Sequence, residues 1–204
     1  MSSVLILGAS SPTAQAFIKM MSDEYPDVHL RLFVRNINKL PMEQRHKLDI
    51  IIGDGANYDD YVRALSGIDY VYNAIGGADS DEYTSTLLRA IRDSRCLIKH
   101  IVDISVSSEQ SLSGVRRIHP EYSKNQINKL KMYQGSDLDF TILQSGSIKN
   151  GPETPVVTRT SDSKNNDTKN FNISRATLAR AAINALFKNQ YACESLFVTN
   201  GKSA

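Results

Sequence analysis

The sequence predicts an α/β fold, a doubly wound and mainly parallel sheet covered by helices on both faces. Two observations carry that expectation. Short apolar runs alternate with amphipathic segments, strand then helix four times and then a strand, through Ser105. The runs are also apolar through their centres, as in strands buried on both faces, and the links suit right-handed crossovers. Such alternation points to three layers, α/β/α. At 204 residues the chain suits one large domain, expected over 1–204.

The first unit is the most informative. Val4-Leu5-Ile6-Leu7 reads as a strand, Gly8-Ala9-Ser10-Ser11-Pro12-Thr13-Ala14 as a tight turn, and Ala16, Phe17, Met20 and Met21 as the apolar stripe of a helix. In a Rossmann-type sheet this turn aims backbone N–H groups and the positive end of a helix dipole at a phosphate. Gly8, Ser11 and Ala14 have the spacing G-x-x-S-x-x-A, with one true glycine where a dinucleotide fingerprint has three. That stretch alone fits a strand end in another α/β fold equally well, so the remaining elements decide.

Val28 to Arg35 reads as the second strand. The residue after that strand faces the adenosine ribose in a dinucleotide site, where an acid would bond a 2′-OH and an arginine would pair with a 2′-phosphate. This chain has Arg35, with Lys39 a turn further on, which favours NADP(H) over NAD(H). A solvated loop arginine is the plainer alternative. Leu48 to Asp54 is the third strand, and Asn57 caps a helix bearing Tyr61, Val62 and Leu65. Asp54 is either a turn residue or a neighbour of adenine. The fourth strand runs into Asn73-Ala74-Ile75-Gly76-Gly77, whose paired glycines let a cofactor pass close to the main chain, or simply make a β-turn. A helix with Leu87, Leu88 and Ile91 inward follows, then a fifth strand from Cys96 to Ser105.

Composition narrows the function. A net charge of +2 is too small to argue for nucleic acid or an acidic membrane surface. No apolar run reaches membrane-spanning length, and Met1-Ser2-Ser3 runs straight into the first strand, so neither a span nor a signal peptide is expected. Cys96 and Cys193 lack metal-like spacing and read as reduced, near-core thiols of a cytoplasmic protein, with no metal site.

Several pieces together resemble one family. They are the Gly8 to Ala14 turn, Val34-Arg35-Asn36, Gly53-Asp54, Leu65-Ser66-Gly67-Ile68-Asp69, Ile104-Ser105, Ser136-Asp137-Leu138-Asp139-Phe140-Thr141-Ile142-Leu143, and Ile173-Ser174-Arg175-Ala176. Their order resembles the atypical short-chain dehydrogenase/reductase group of NmrA-like and biliverdin-reductase-B-like NAD(P)H-binding proteins, from about residue 4 to about residue 200. The resemblance implies that Gly8, Ser10, Ser11, Thr13 and Ala14 line the pyrophosphate, and that Arg35 meets the 2′-phosphate. It places Asp54 and Gly55 near adenine, and Ala74, Ile75, Gly76 and Gly77 near the nicotinamide-side ribose. Ser105 falls where the wider superfamily keeps a hydroxyl near the reacting carbonyl.

The chain departs from that pattern twice. Tyr122 falls at the position of the superfamily's proton-donating tyrosine, but Gln126 stands where its lysine would be, and an uncharged amide cannot lower a phenol's pKa. Tyr122 is thus either a catalytic donor or an ordinary amphipathic-helix residue, and His119 is a second proton source by pKa. After the sixth strand Gln144-Ser145-Gly146 replaces the family's Arg-Pro-Gly. Residues 149–172 are polar and read as a loop or hairpin, with a lid over the nicotinamide end as the functional alternative; Val156 to Thr160 suits a short strand within them.

Two functions remain open on this reading. One is an NADPH-dependent oxidoreductase that transfers hydride to a small carbonyl, quinone or flavin-type acceptor. The other is a non-catalytic NADP(H)-binding redox sensor, which the missing lysine favours. Either takes small molecules, with neither nucleic acid nor membrane as partner, and the sequence leaves oligomeric state open.

Overall fold

Hydrogen bonding along the strands joins eight of them into one sheet. The computed structural model describes residues 1–106, 120–160, 172–188 and 190–201. The strands are β1 (Ser3–Leu7), β2 (His29–Val34), β3 (Asp49–Ile52), β4 (Tyr70–Asn73), β5 (His100–Val106), β6 (Phe140–Ser145), β7 (Ile148–Lys149), β8 (Val156–Thr160), β9 (Ile173–Ser174) and β10 (Glu194–Asn200). The helices are α1 (Pro12–Glu24), α2 (Met42–Lys47), α3 (Tyr58–Leu65), α4 (Ser80–Ser94), α5 (Pro120–Gln134) and α6 (Arg175–Lys188).

The large sheet has the order β3-β2-β1-β4-β5-β6-β10-β8. Every pairing in it is parallel except β8 against β10. The chain reverses direction across the sheet between β1 and β4, so the carboxyl ends of those two strands flank a crevice.

Alternation along β1 shows why both faces are covered. Val4 and Ile6 enter one core with Phe17, Ile18 and Met21 of α1 and Leu178, Ala182 and Leu186 of α6. Leu5 and Leu7 enter the other with Tyr61 and Leu65 of α3, Leu87 and Ile91 of α4 and Tyr133 of α5. This is the expected three-layer Rossmann-type fold. Ring stacking of Phe17 on Tyr72, with centroids 4.0 Å apart, fixes α1 over β4. Arg180 of α6 bridges Glu24 at the end of α1 and Glu153.

One helix start follows its sequence signal, and a second is capped in the same way. The Asn57 side chain accepts from the N–H groups of Asp59 and Asp60, and Ser174 Oγ accepts from Thr177 N–H at 3.0 Å. Elsewhere the structure departs from the expected boundaries. The fifth strand starts at His100, because α4 ends in a left-handed Arg95 and Cys96 N–H closes that turn onto Ile91 O. Cys193 is exposed, not near-core, on a turn with φ +61°. Val156–Thr160 is the strand expected within 149–172, at the sheet edge, whereas 161–171 lie outside the described residues. No described helix is long and apolar enough to cross a membrane.

Candidate functional site

Where β1 ends, Gly8 adopts φ +70°, and a Cβ there would lie 3.0 Å from Ala74 O and 3.2 Å from Ile75 N. Only glycine meets both conditions. Ser11 N–H closes the turn onto Gly8 O, Ser11 Oγ caps α1 by accepting from Ala14 N–H at 3.2 Å, and Pro12 opens the helix with no N–H to satisfy. The positive end of α1 therefore opens on the crevice.

That crevice is a cleft of about 350 Å³. Of the residues expected to bind a cofactor, Gly8, Ser10, Ser11, Arg35, Asp54, Gly55, Ala74, Ile75 and Gly76 line it together. Thr13, Ala14 and Gly77 do not; Ala14 packs its methyl into the core beneath α1. Phe33, Val34, Asn36, Lys39 and Tyr83 complete the wall.

The wall after β2 is organised by hydrogen bonds. Asn36 Oδ1 accepts from Asn38 N–H at 2.9 Å and starts a 3₁₀ turn at Ile37–Lys39. Arg45 of α2 then holds this turn, donating from Nε to Leu40 O at 2.9 Å and from Nη2 to Asn38 O at 2.7 Å. Arg35, by contrast, is exposed and makes no hydrogen bond or ion pair with any described residue. Arg31, four residues earlier, is fully engaged with Asp49, Ala64 O and Ser66 O. The contrast separates a structural arginine from one free to meet an anion.

The wall after β3 is equally fixed. Asp60 accepts from Asp54 N–H at 2.9 Å, and that bond, reinforced by Arg63, holds the Asp60 carboxyl below its usual range. Tyr83, in the first turns of α4, faces Gly55: a Cβ on Gly55 would lie 3.1 Å from its ring. The sequence shows Tyr83 only as one polar-side residue of a helix start, and the partner that makes it a wall residue is remote in the chain.

At the end of β5, Ser105 is buried and lies outside the lining of that cleft. Its Oγ donates to Asp103 at 3.2 Å, and the same carboxylate receives Lys129 Nζ at 2.5 Å. Lys129 Nζ also points to Ser105 Oγ at 3.4 Å. Both charged side chains are almost fully buried, at 3% and 1% exposure. Burial, and then the adjacent Asp103 carboxylate, push the Tyr133 phenol well above its ordinary range, so it remains a donor to Asp103 at 2.9 Å.

Gln126 is partly buried on α5, with an Oε1 that meets no donor. Lys129, one helical turn further along, was not singled out by the sequence. Tyr122 lies on α5 with its side chain outside the described residues, as are residues 107–119, including His119.

A larger depression of about 900 Å³ lies on the flank of α1 and α2. Lys19 pairs there with Asp23 at 2.6 Å and Lys47 with Glu43 at 2.8 Å, while Arg175 donates to Asn150 Oδ1 at 2.7 Å. The described residues hold no group of three or more His, Cys, Asp or Glu able to ligate a metal.

The cleft thus fits a dinucleotide on three counts: a glycine cradle that a Cβ would fill, a helix N-terminus, and an unpaired arginine after β2. Residues 8–189 match the model of a protein family described as NAD(P)H-binding. The chain belongs to that family. A nicotinamide dinucleotide is accordingly its cofactor class, as the resemblance implies.

Solved structures share the fold of this NAD(P)H-binding protein. A Rossmann-fold NAD(P)-binding family protein from Shigella flexneri superposes with a TM-score of 0.81 at 22% identity, covering 100% of this chain and 98% of that one. A short-chain dehydrogenase/reductase from Veillonella parvula, in complex with NADP, gives 0.81 at 19% identity, with 98% and 94% covered. ChuY, an anaerobilin reductase from Escherichia coli O157:H7, gives 0.78 at 16% identity over 100% of both chains. No curated protein matches the chain.

Proposed function

We propose that this family member is an NADPH-dependent reductase that passes hydride to a small carbonyl, quinone or flavin-type acceptor. The observation that carries the cofactor choice is Arg35, unpaired beside Lys39 in the wall of the cleft that holds Gly8. A 2′-phosphate there gains two cations that no described residue neutralises, while a bare 2′-OH finds no carboxylate at that position. The reading is supported by proteins of the same fold, one in complex with NADP and one an anaerobilin reductase.

In this reading Gly8, Ser10 and Ser11 form the pyrophosphate turn, with Thr13 and Ala14 backing it in the first turn of α1, and Asp54 and Gly55 border adenine. Ala74, Ile75 and Gly76 border the nicotinamide-side ribose, with Gly77 next in the chain. The bound cofactor supplies the hydride. The protein's share is orientation and water exclusion, with Ser105 and Tyr122 as the hydroxyl groups on the acceptor's side. The substrate is a small molecule, and the two free thiols suit a reducing compartment such as the cytoplasm.

A second reading, a sensor of the NADP+/NADPH ratio, is favoured by Gln126 at the usual lysine position. Steady-state NADPH oxidation with a quinone, free FMN and an aromatic aldehyde separates the two. Turnover with any of them, lost on Gly8→Ala, supports the reductase. Tight binding without turnover, with different affinities for NADP+ and NADPH, supports the sensor.

A further inference from the structure

We infer that the buried Asp103–Lys129 ion pair is a positioning device for the cofactor cleft, acting through Asn73 on the backbone at Ile75. The inference rests on the dinucleotide reading of the cleft. Asp103 and Asn73 are register partners on β5 and β4, and Asn73 ends its strand where the cleft begins. Asp103 Oδ2 accepts from Asn73 Nδ2 at 2.7 Å and from Tyr133 OH at 2.9 Å, while Oδ1 takes Lys129 and Ser105.

With its amide nitrogen so held, Asn73 turns Oδ1 toward the following backbone and accepts from Ile75 N–H at 3.1 Å. Ala74 N–H donates to Leu7 O, and Ala74 O is the atom that leaves no room for a side chain on Gly8. The chain of contacts therefore runs from Lys129 to the wall facing the glycine turn. Helix α5 adds two tethers further along, Asn125 donating to Ala78 O in the same loop and Asn128 to Asp81 in the first turn of α4 at 2.8 Å.

Stability alone does not account for the pair. Two charges taken out of water lose hydration that their mutual attraction seldom exceeds, and apolar residues of like volume often serve stability as well or better. What an apolar pair cannot do is fix the orientation of Asn73. Asp103 accepts from four donors, close to the capacity of a carboxylate, so the Asn73 amide has one favourable rotamer and one favourable flip.

The test is amide hydrogen exchange at Ile75, which needs no cofactor, together with NADPH titration. In the Asp103→Leu/Lys129→Met protein, Ile75 should exchange about ten-fold faster while Val71 and Tyr72 in β4 keep their protection, and the NADPH Kd should rise about ten-fold, the loss of one hydrogen bond. Asn73→Ala sets the full size of the effect, and combining it with the double variant should add little. If the apolar pair does not fold, Asp103→Asn/Lys129→Met keeps the shape and should show a smaller rise, about three-fold. Unchanged exchange at Ile75, or a rise matched at Val71 and Tyr72, overturns the proposal. Wild-type protein that binds no NADPH would overturn the functional reading instead, with the exchange result still deciding this one.

Discussion

Gly8 and Ala74 stand so close across the ends of β1 and β4 that a Cβ on the glycine would lie 3.0 Å from the alanine carbonyl oxygen. The contact joins the two strands at which the sheet reverses, and the glycine also holds φ +70°. Gly8→Ala should therefore cost about 1–3 kcal/mol of stability from strain and overlap. Chemical denaturation would measure that loss, and NADPH affinity should fall by at least about ten-fold because the turn must open. A variant with wild-type stability and affinity would mean that the turn is not cradling the cofactor.

Arg45 predicts an effect at a distance. It touches no expected phosphate, yet it holds the carbonyls of Asn38 and Leu40 and so the turn carrying Lys39. Arg45→Ala should weaken NADPH binding about three- to ten-fold, the loss of one or two modest hydrogen bonds, and leave NADH binding nearly unchanged. Equal losses for both nucleotides, read by fluorescence titration, would place the defect in the general fold.

His100 predicts a pH dependence of folding. Its Nε2 lies 2.9 Å from Thr141 Oγ1, and the Thr141 proton goes to Tyr191 O, so His100 must donate from Nε2 and leave Nδ1 bare. Burial lowers its pKa below the ordinary 6.5. A group harder to protonate when folded contributes its stability in full above about pH 6.5, and loses it as the pH falls toward the depressed value, at up to about 1.4 kcal/mol per pH unit. Urea midpoints from pH 7.5 to 5.0 should therefore fall more steeply for wild type than for His100→Leu. Parallel slopes would contradict this.

Local signals were legible and tertiary ones were not. The run from Val4 to Ala14 declares a strand, a turn and a helix because its apolar pattern, its glycine and its Ser11 cap act over a few residues. Asn57 and Ser174 caps are local in the same way. Helix α2 is Met42 followed by five polar residues, with no apolar stripe, so nothing in the sequence marks it, or Arg45, as part of the site. Lys129 is a sharper case: lysines are almost never fully buried unless paired, and its partner Asp103 is 26 residues away. The superfamily spacing points four residues past Tyr122, to Gln126, whereas Lys129 lies a helical turn further along the same face. Nothing local marks Tyr83, because its wall is made with Gly55, 28 residues earlier in the chain.

The central claim is that Arg35 makes this cleft a site for a 2′-phosphate, and the most direct measurement is a titration of wild type and Arg35→Ala with NADPH and NADH. Tighter NADPH binding by wild type, with the variant losing about ten-fold or more in NADPH affinity and little in NADH affinity, is the predicted result. Equal binding of the two nucleotides by wild type, or an unchanged preference in the variant, would contradict it.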